Sequence, residues 1–131
     1  MTTHESNEGL GARSVRTRAE ALNERDRDKL LAVLAEDISW HGPLQGTLHG
    51  RDEVWERFYA PLWEAPARGE VHDILDNGEH VVVLGEAIID LPEGTRSWKS
   101  VEVCHYNDHG QITERWAFVE HEQEFIETFR P

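Results

Sequence analysis

Cysteine is nearly absent. Cys104 stands alone in 131 residues, so no intrachain disulfide can form and nothing points to an oxidising compartment. No apolar run approaches the roughly 20 residues that a membrane-spanning helix needs. The opening stretch, MTTHESNEGLGARS, has neither the basic nor the apolar region of a signal peptide, so a cytoplasmic location is expected. Basic residues are scarce too: 13 Lys and Arg face 26 Asp and Glu, a formal charge of −13. That balance repels nucleic-acid backbones and anionic membrane surfaces, and neither is an expected partner. A glycine-rich phosphate loop is missing, which argues against nucleotide hydrolysis and dinucleotide redox chemistry. The eight histidines fall in no H-E-x-x-H or Cys/His zinc spacing, so neither a metal nor another cofactor is expected. Cys104 has no basic neighbour in sequence to activate it as a nucleophile.

Hydrophobic residues make up only 38% of the chain and charged ones 30%. Five tryptophans and repeated Val/Leu/Ile runs nevertheless argue for a folded core rather than disorder. The length fits one domain, expected over residues 13–131 and preceded by a flexible polar segment, 1–12. From Ser14 to Glu24, Val15, Ala19 and Leu22 recur at helical spacing with Ser14 as a cap. The stretch DRDKLLAVLAED offers Asp26 or Asp28 as the cap of a second helix with a stripe of Leu30, Leu31, Val33 and Leu34. A short strand, ISWHGP, and a loop, LQGTLHG, follow. A third helix, RDEVWERFYAPLWEA, carries Val54, Trp55, Phe58, Leu62 and Trp63 on one broad stripe, and Pro61 kinks or ends it.

Beyond APARG the pattern turns to alternation. EVHDIL, EHVVVLGEAIIDL, TRSWKSVEVCHY and QITERWAFVEH read as strands separated by the turn sequences DNG, PEG and NDHG. QEFIETF is either a closing helix or a tail. Helices first and an antiparallel meander afterwards predict an α+β fold with helices on one face of a curved sheet.

The last hairpin sets the expected site. With Gly110 in a left-handed turn position, Trp116 pairs with Glu102, Phe118 with Ser100 and Glu120 with Trp98. One face then holds Trp98, Ser100, Glu102, Cys104, Trp116, Phe118 and Glu120. It is aromatic with embedded acids, as suits a water-poor ligand pocket under the helices. The other face holds Val101, Val103, His105, Ala117, Val119 and His121, small enough for close packing against a second copy, so a homodimer through the outer sheet face is expected. Aromatic walls and a neighbouring Glu102 charge would raise the pKa of Glu120 and suit it to acid/base work; the alternative is a solvated or ion-paired Glu120. His41 and Trp40 end the first strand, where either could line a pocket. Glu86 and Asp90 share a face of EAIID.

Several strings carry a resemblance. The tandem helices leading to AEDISWHGP, the helix entry LHGRDEVWERF, the segment VHDILDNGEHVVVLGEA and the turn and strand YNDHGQITERWAF resemble the SnoaL-like branch of the nuclear transport factor 2-like superfamily. That group also includes ketosteroid isomerases, limonene epoxide hydrolases and scytalone dehydratases. The likeness spans roughly residues 14 to 129. It implies a cone-shaped curved antiparallel sheet with three helices on its concave face. It also implies a pocket for a small apolar molecule of polyketide or steroid-like type. In the branch's polyketide cyclases an acid stands four residues beyond the last strand's tryptophan, which is Glu120 here, and a histidine on the preceding strand has His105 as its nearest match. The expected activity is a cofactor-independent cyclase, isomerase, dehydratase or hydrolase working by proton transfer. Glu120, Glu102, His41 and Asp90 are the acid/base candidates, and Trp40, Trp98, Trp116, Phe118 and Tyr59 the substrate-binding residues. A non-catalytic ligand-binding or dimerisation module of the same fold is the alternative.

Overall fold

The computed structural model describes residues 9–129, so positions 1–8 of the expected flexible segment lie outside the described residues. Helices α1 (Leu10–Glu24) and α2 (Arg27–Ala32) precede strands β1 (Leu34–Gly42) and β2 (Gly46–His49). Helix α3 runs through Arg51–Val54, Trp55–Tyr59 and Ala60–Trp63, and the strands β3 (Ala67–Asp76), β4 (His80–Leu91), β5 (Gly94–Tyr106) and β6 (Ile112–Val119) follow before α4 (Glu122–Phe129). The fold is α+β, with one sheet in the order β2-β1-β6-β5-β4-β3.

The meander β3 to β6 is antiparallel throughout, as expected, and β1 joins β6 in parallel. A parallel pair requires a long crossover, and the whole of α3 through β5 supplies it. LQGTLHG is likewise not a plain loop: Gly46–His49 pairs with β1 as an edge strand. Of the two readings of QEFIETF the closing helix holds: it lies in α4.

Local chemistry explains the helix boundaries. Helix α1 begins at Leu10, inside the segment expected to be flexible, with Gly9 rather than Ser14 at its cap position. The Ser14 hydroxyl instead donates to the carbonyls of Leu10 and Gly110, tying the helix to the last turn. Arg25 ends α1 in a left-handed conformation, φ 58°. Its guanidinium donates to the carbonyls of Ala65 at 2.9 Å and Ala67 at 2.6 Å, which fastens α1 to the chain after α3. Asp26 caps α2 by accepting the Lys29 amide at 3.1 Å. The helix stops at Ala32, so Leu34 belongs to β1 and not to the expected helical stripe.

Pro61 does not end α3. A proline cannot donate to the carbonyl four residues back, here that of Arg57. The Gln45 side-chain amide donates to that oxygen instead, at 3.0 Å. The preceding turn, Trp55–Tyr59, widens to a π-helix, one of the recognised responses to a break in the helical ladder.

The main core collects Val15, Ala21, Leu30, Leu34, Ile38, Trp40, Leu48, Val54, Tyr59, Val81 and Ile112, all shielded from solvent. A smaller cluster of Ile89, Trp98 and Phe125 forms where α4 folds back over the sheet. His121, at φ 51°, makes the sharp turn from β6 into α4. Among the described residues no helix is long and apolar enough to cross a membrane.

Candidate functional site

The decisive local event is a bulge at the foot of β6. The last hairpin starts in the expected register, with Tyr106 opposite Ile112 and Gly110 left-handed at φ 76°. The next pair is His105 with Glu114, so Thr113 is an extra residue. A slip of one position exchanges the two faces of a strand. Glu102 therefore lies opposite Ala117, not Trp116, and Ser100 opposite Val119, not Phe118. On β5 the expected inner set of Ser100, Glu102 and Cys104 holds. On β6 the inner set becomes Arg115, Ala117 and Val119.

These strands and the helices enclose a cavity of about 140 Å³. Phe58, Tyr59 and Leu62 of α3, Leu22 of α1, and Phe125 and Phe129 of α4 make most of its wall apolar. Arg18, Arg115 and Glu102 form its polar end. Arg18 arrives there because it occupies the buried stripe of α1 together with Gly11, Ser14, Val15 and Ala21. Its Nη2 donates to Glu102 Oε1 at 2.6 Å and its Nη1 to Oε2 at 3.0 Å, a forked pairing of the strongest kind between side chains. Arg115 Nε donates to the same Oε2 at 2.7 Å from the other side. Its guanidinium lies 4.1 Å from the centre of the Trp40 ring and 5.2 Å from that of Phe58. Gly42 keeps this space open, since a Cβ there would meet Arg115 Nη1 at 2.8 Å.

Electrostatics follow from this clamp. Burial by itself would raise the pKa of Glu102, yet the charges of Arg18 and Arg115 and their hydrogen bonds outweigh it and hold the carboxyl down at about 2. Burial would weaken the charge on Arg18, but Glu102 keeps its pKa well above the ordinary value. Tyr59 is raised, mainly by burial, so its hydroxyl stays neutral while accepting from Arg18 Nη1 at 3.3 Å. Burial pushes Cys104 up to about 12, far from the thiolate that nucleophilic chemistry requires.

The expected site residues divide sharply. Glu102 and Tyr59 are in the cavity wall. Glu120 is exposed; its carboxylate accepts the Lys99 amide at 2.9 Å, and the expected inward, aromatic surroundings are corrected. His121 is exposed as well. The like-charge pairing of Glu120 with Glu102 does not occur, because the Thr113 bulge turns them to opposite faces. His41 lies on the outer face, where it meets Glu114 and Thr47 at 3.0 Å each and stacks on Trp116. His105 packs against the edge of the same Trp116 on that face.

Asp90 is exposed and binds Thr95 at 2.8 Å and Arg68 at 3.2 Å, and these bonds lower its pKa. Trp40 is fully buried beneath the arginines, and Trp98 is packed under Phe125 and Phe129; neither lines the cavity. Phe118 borders the cavity but is 59% exposed. Sequence reasoning passed over Arg18 and took Arg115 only as a possible ion-pair partner of Glu120, whereas it pairs with Glu102. For Arg18 a signal existed, since Val15, Arg18 and Leu22 share one helical stripe. Among the described residues no cluster of His, Cys, Asp and Glu could hold a metal ion.

The chain matches the SnoaL-like domain family over residues 15–115. No curated protein matches it. Among solved structures it is similar to an NTF2-like protein of unknown function from Burkholderia pseudomallei, with 27% identity, a TM-score of 0.79, and 95% of this chain and 100% of that one covered. TerC co-crystallised with polyporic acid superposes with a TM-score of 0.79 at 19% identity, covering 94% of this chain and 100% of that one. A Mycobacterium tuberculosis protein in complex with estradiol-17beta-hemisuccinate gives a TM-score of 0.71 at 13% identity, covering 85% and 94%. These similarities make the architecture that of the NTF2-like cone.

Proposed function

The chain belongs to the SnoaL-like domain family, and from that premise and the cavity's composition we propose that it binds a mostly apolar small molecule between the sheet and α1, α3 and α4. The observation that carries this reading is an apolar hollow closed at one end by a buried polar cluster, Arg18–Glu102–Arg115. An apolar wall with a few convergent polar groups is the usual make-up of a ligand site. Complexes of two similar folds with polyporic acid and with a steroid ester fit the same reading.

Catalysis is a second reading, and one observation favours it. Two guanidiniums at the cavity's polar end could stabilise negative charge developing on a substrate carbonyl oxygen, as electrostatic catalysis requires. A proton-transfer step of the cyclase, isomerase, dehydratase or hydrolase type would then use the arginines as the electrophilic part. Glu102, held at about 2, is a weak base, so the proton acceptor would be water or the ligand itself.

A homodimer through the outer sheet face belongs to the same proposal. Leu84, Val101 and Phe118 are 37%, 38% and 59% exposed on that face, and a second copy would cover them in the cytoplasm. Binding is tested by soaking or titrating apolar ring compounds and following chemical shifts of Leu62, Phe125 and Phe129. Shifts confined to these residues support the pocket; shifts only on Leu84 and Val101 would show that ligands prefer the outer face. Light scattering across a concentration series reads the dimer.

A further inference from the structure

The polar end of the cavity contains an unequal set of charges. Arg18 and Arg115 bring two cations, while among the described residues Glu102 is the one carboxylate bonded to either. The other charged groups at the cavity's border are engaged elsewhere. Arg68 pairs with Asp90 at 3.2 Å. Alternation along β4 turns Glu86 to the opposite side from Gly85 and Ala87, where it meets His72 at 2.8 Å. The clamp thus leaves one positive charge without a partner, inside a protein whose formal charge is −13.

Hydrogen-bonding capacity is unequal in the same sense. Each guanidinium has five N–H groups and no acceptor. The acceptors reaching them are the two Glu102 oxygens, the Tyr59 hydroxyl and, at 3.4 Å, the His41 carbonyl. Arg18 Nε is buried and has no hydrogen-bond partner among the described residues. Buried donors in native proteins are normally satisfied, so a donor-rich cluster beside a cavity points to an acceptor that enters from outside. Arg18 is only 7% exposed and Arg115 6%, so water screens their field weakly.

We propose that the ligand is an organic acid: an apolar body with one anionic oxygen group, a carboxylate in the simplest case, that docks against Arg18 and Arg115. This rests on the reading of the cavity as a small-molecule site and adds the sign of the ligand's charge. The apolar body lies along Phe58, Leu62, Phe125 and Phe129, and the anion balances the unpaired cation. Tyr59, whose hydroxyl meets Arg18, offers a hydroxyl donor to the same group, and Ser100 is also in the cavity wall.

The test is isothermal titration of the full chain at neutral pH and low salt with three matched probes: biphenylcarboxylate, biphenylcarboxamide and biphenylmethylamine. The expected result is that the carboxylate binds at least about tenfold tighter than the amide, as a charge-assisted pair should. The preference should shrink with added salt, and the amine should not bind. In Glu102→Gln the preference should grow, because a second cation loses its partner; a purely structural clamp would leave the ratio unchanged. Equal affinity for acid and amide would overturn the charge assignment while leaving the small-molecule reading intact. Preference for the amine would overturn it with the opposite sign. Binding of none of the three would bring down both readings. If Glu102→Gln does not fold, the three titrations of the native chain decide the matter alone.

Discussion

The same two strands, β5 and β6, have opposite characters on their two sides. On the inner side the one buried carboxylate, Glu102, is held by both Arg18 and Arg115, and the arginines rest on Trp40 and Phe58. On the outer side Val101 and Phe118 stand open to solvent, while His41, His105 and Glu114 surround a half-buried Trp116. Charge sits where the protein is dry, and large apolar groups sit where it is wet. A soluble monomer alone would favour the reverse. The difference matches the two proposed roles, the inner side receiving a ligand with polar needs and the outer side meeting a second copy.

Stability of variants sharpens this contrast. Arg115→Ala should have the largest effect, a loss of about 3–5 kcal/mol in urea unfolding, because it leaves a buried carboxylate half-answered and removes packing from two rings. An effect below that of an ordinary surface change would break the account of the inner side.

Acid should expose the same clamp. The folded pKa of Glu102 is about 2 and its ordinary value 4.5, so its contribution to stability is present above about 4.5 and is lost as pH falls through the folded value. One pKa unit is worth 1.36 kcal/mol, which makes the loss on the order of 3 kcal/mol. In Glu102→Gln the stability profile between these values should flatten, as read by urea midpoints across an acid pH series. Gly42→Ala should cost about 1–3 kcal/mol by crowding Arg115, with the same urea titration as the check. On the outer side, Phe118→Ser should change monomer stability within about 0.5 kcal/mol yet weaken any self-association seen by sedimentation. A large loss of monomer stability would show that Phe118 is core and the contrast false.

Much of this architecture was legible in the residues, for physical reasons. Alternation in SWKSVEVCHY correctly placed Ser100, Glu102 and Cys104 inward, since a strand's period leaves little freedom once its buried face is known. The same logic failed on ITERWAFVE because Thr113 bulges, and no residue type demands a bulge there. One unpaired residue thus replaced Trp116, Phe118 and Glu120 in the expected cavity with Arg115, Ala117 and Val119. Arg18 shows a different kind of miss. Its place on the apolar stripe of α1 was visible, but its partner Glu102 is 84 positions away, and only the closed fold brings them together. Pro61 reads as a kink or a helix end from local rules alone, and the compensating donor, Gln45, comes from the loop between β1 and β2.

The central claim is that the buried, paired acid of this site is Glu102, with Glu120 outside. Urea unfolding of Glu102→Gln and Glu120→Gln, run side by side at neutral pH, tests it most directly. The account predicts a loss of about 3 kcal/mol for Glu102→Gln, from breaking a buried ion-pair cluster, and a change within about 0.5 kcal/mol for Glu120→Gln. A large effect at Glu120 with a negligible one at Glu102 would contradict it.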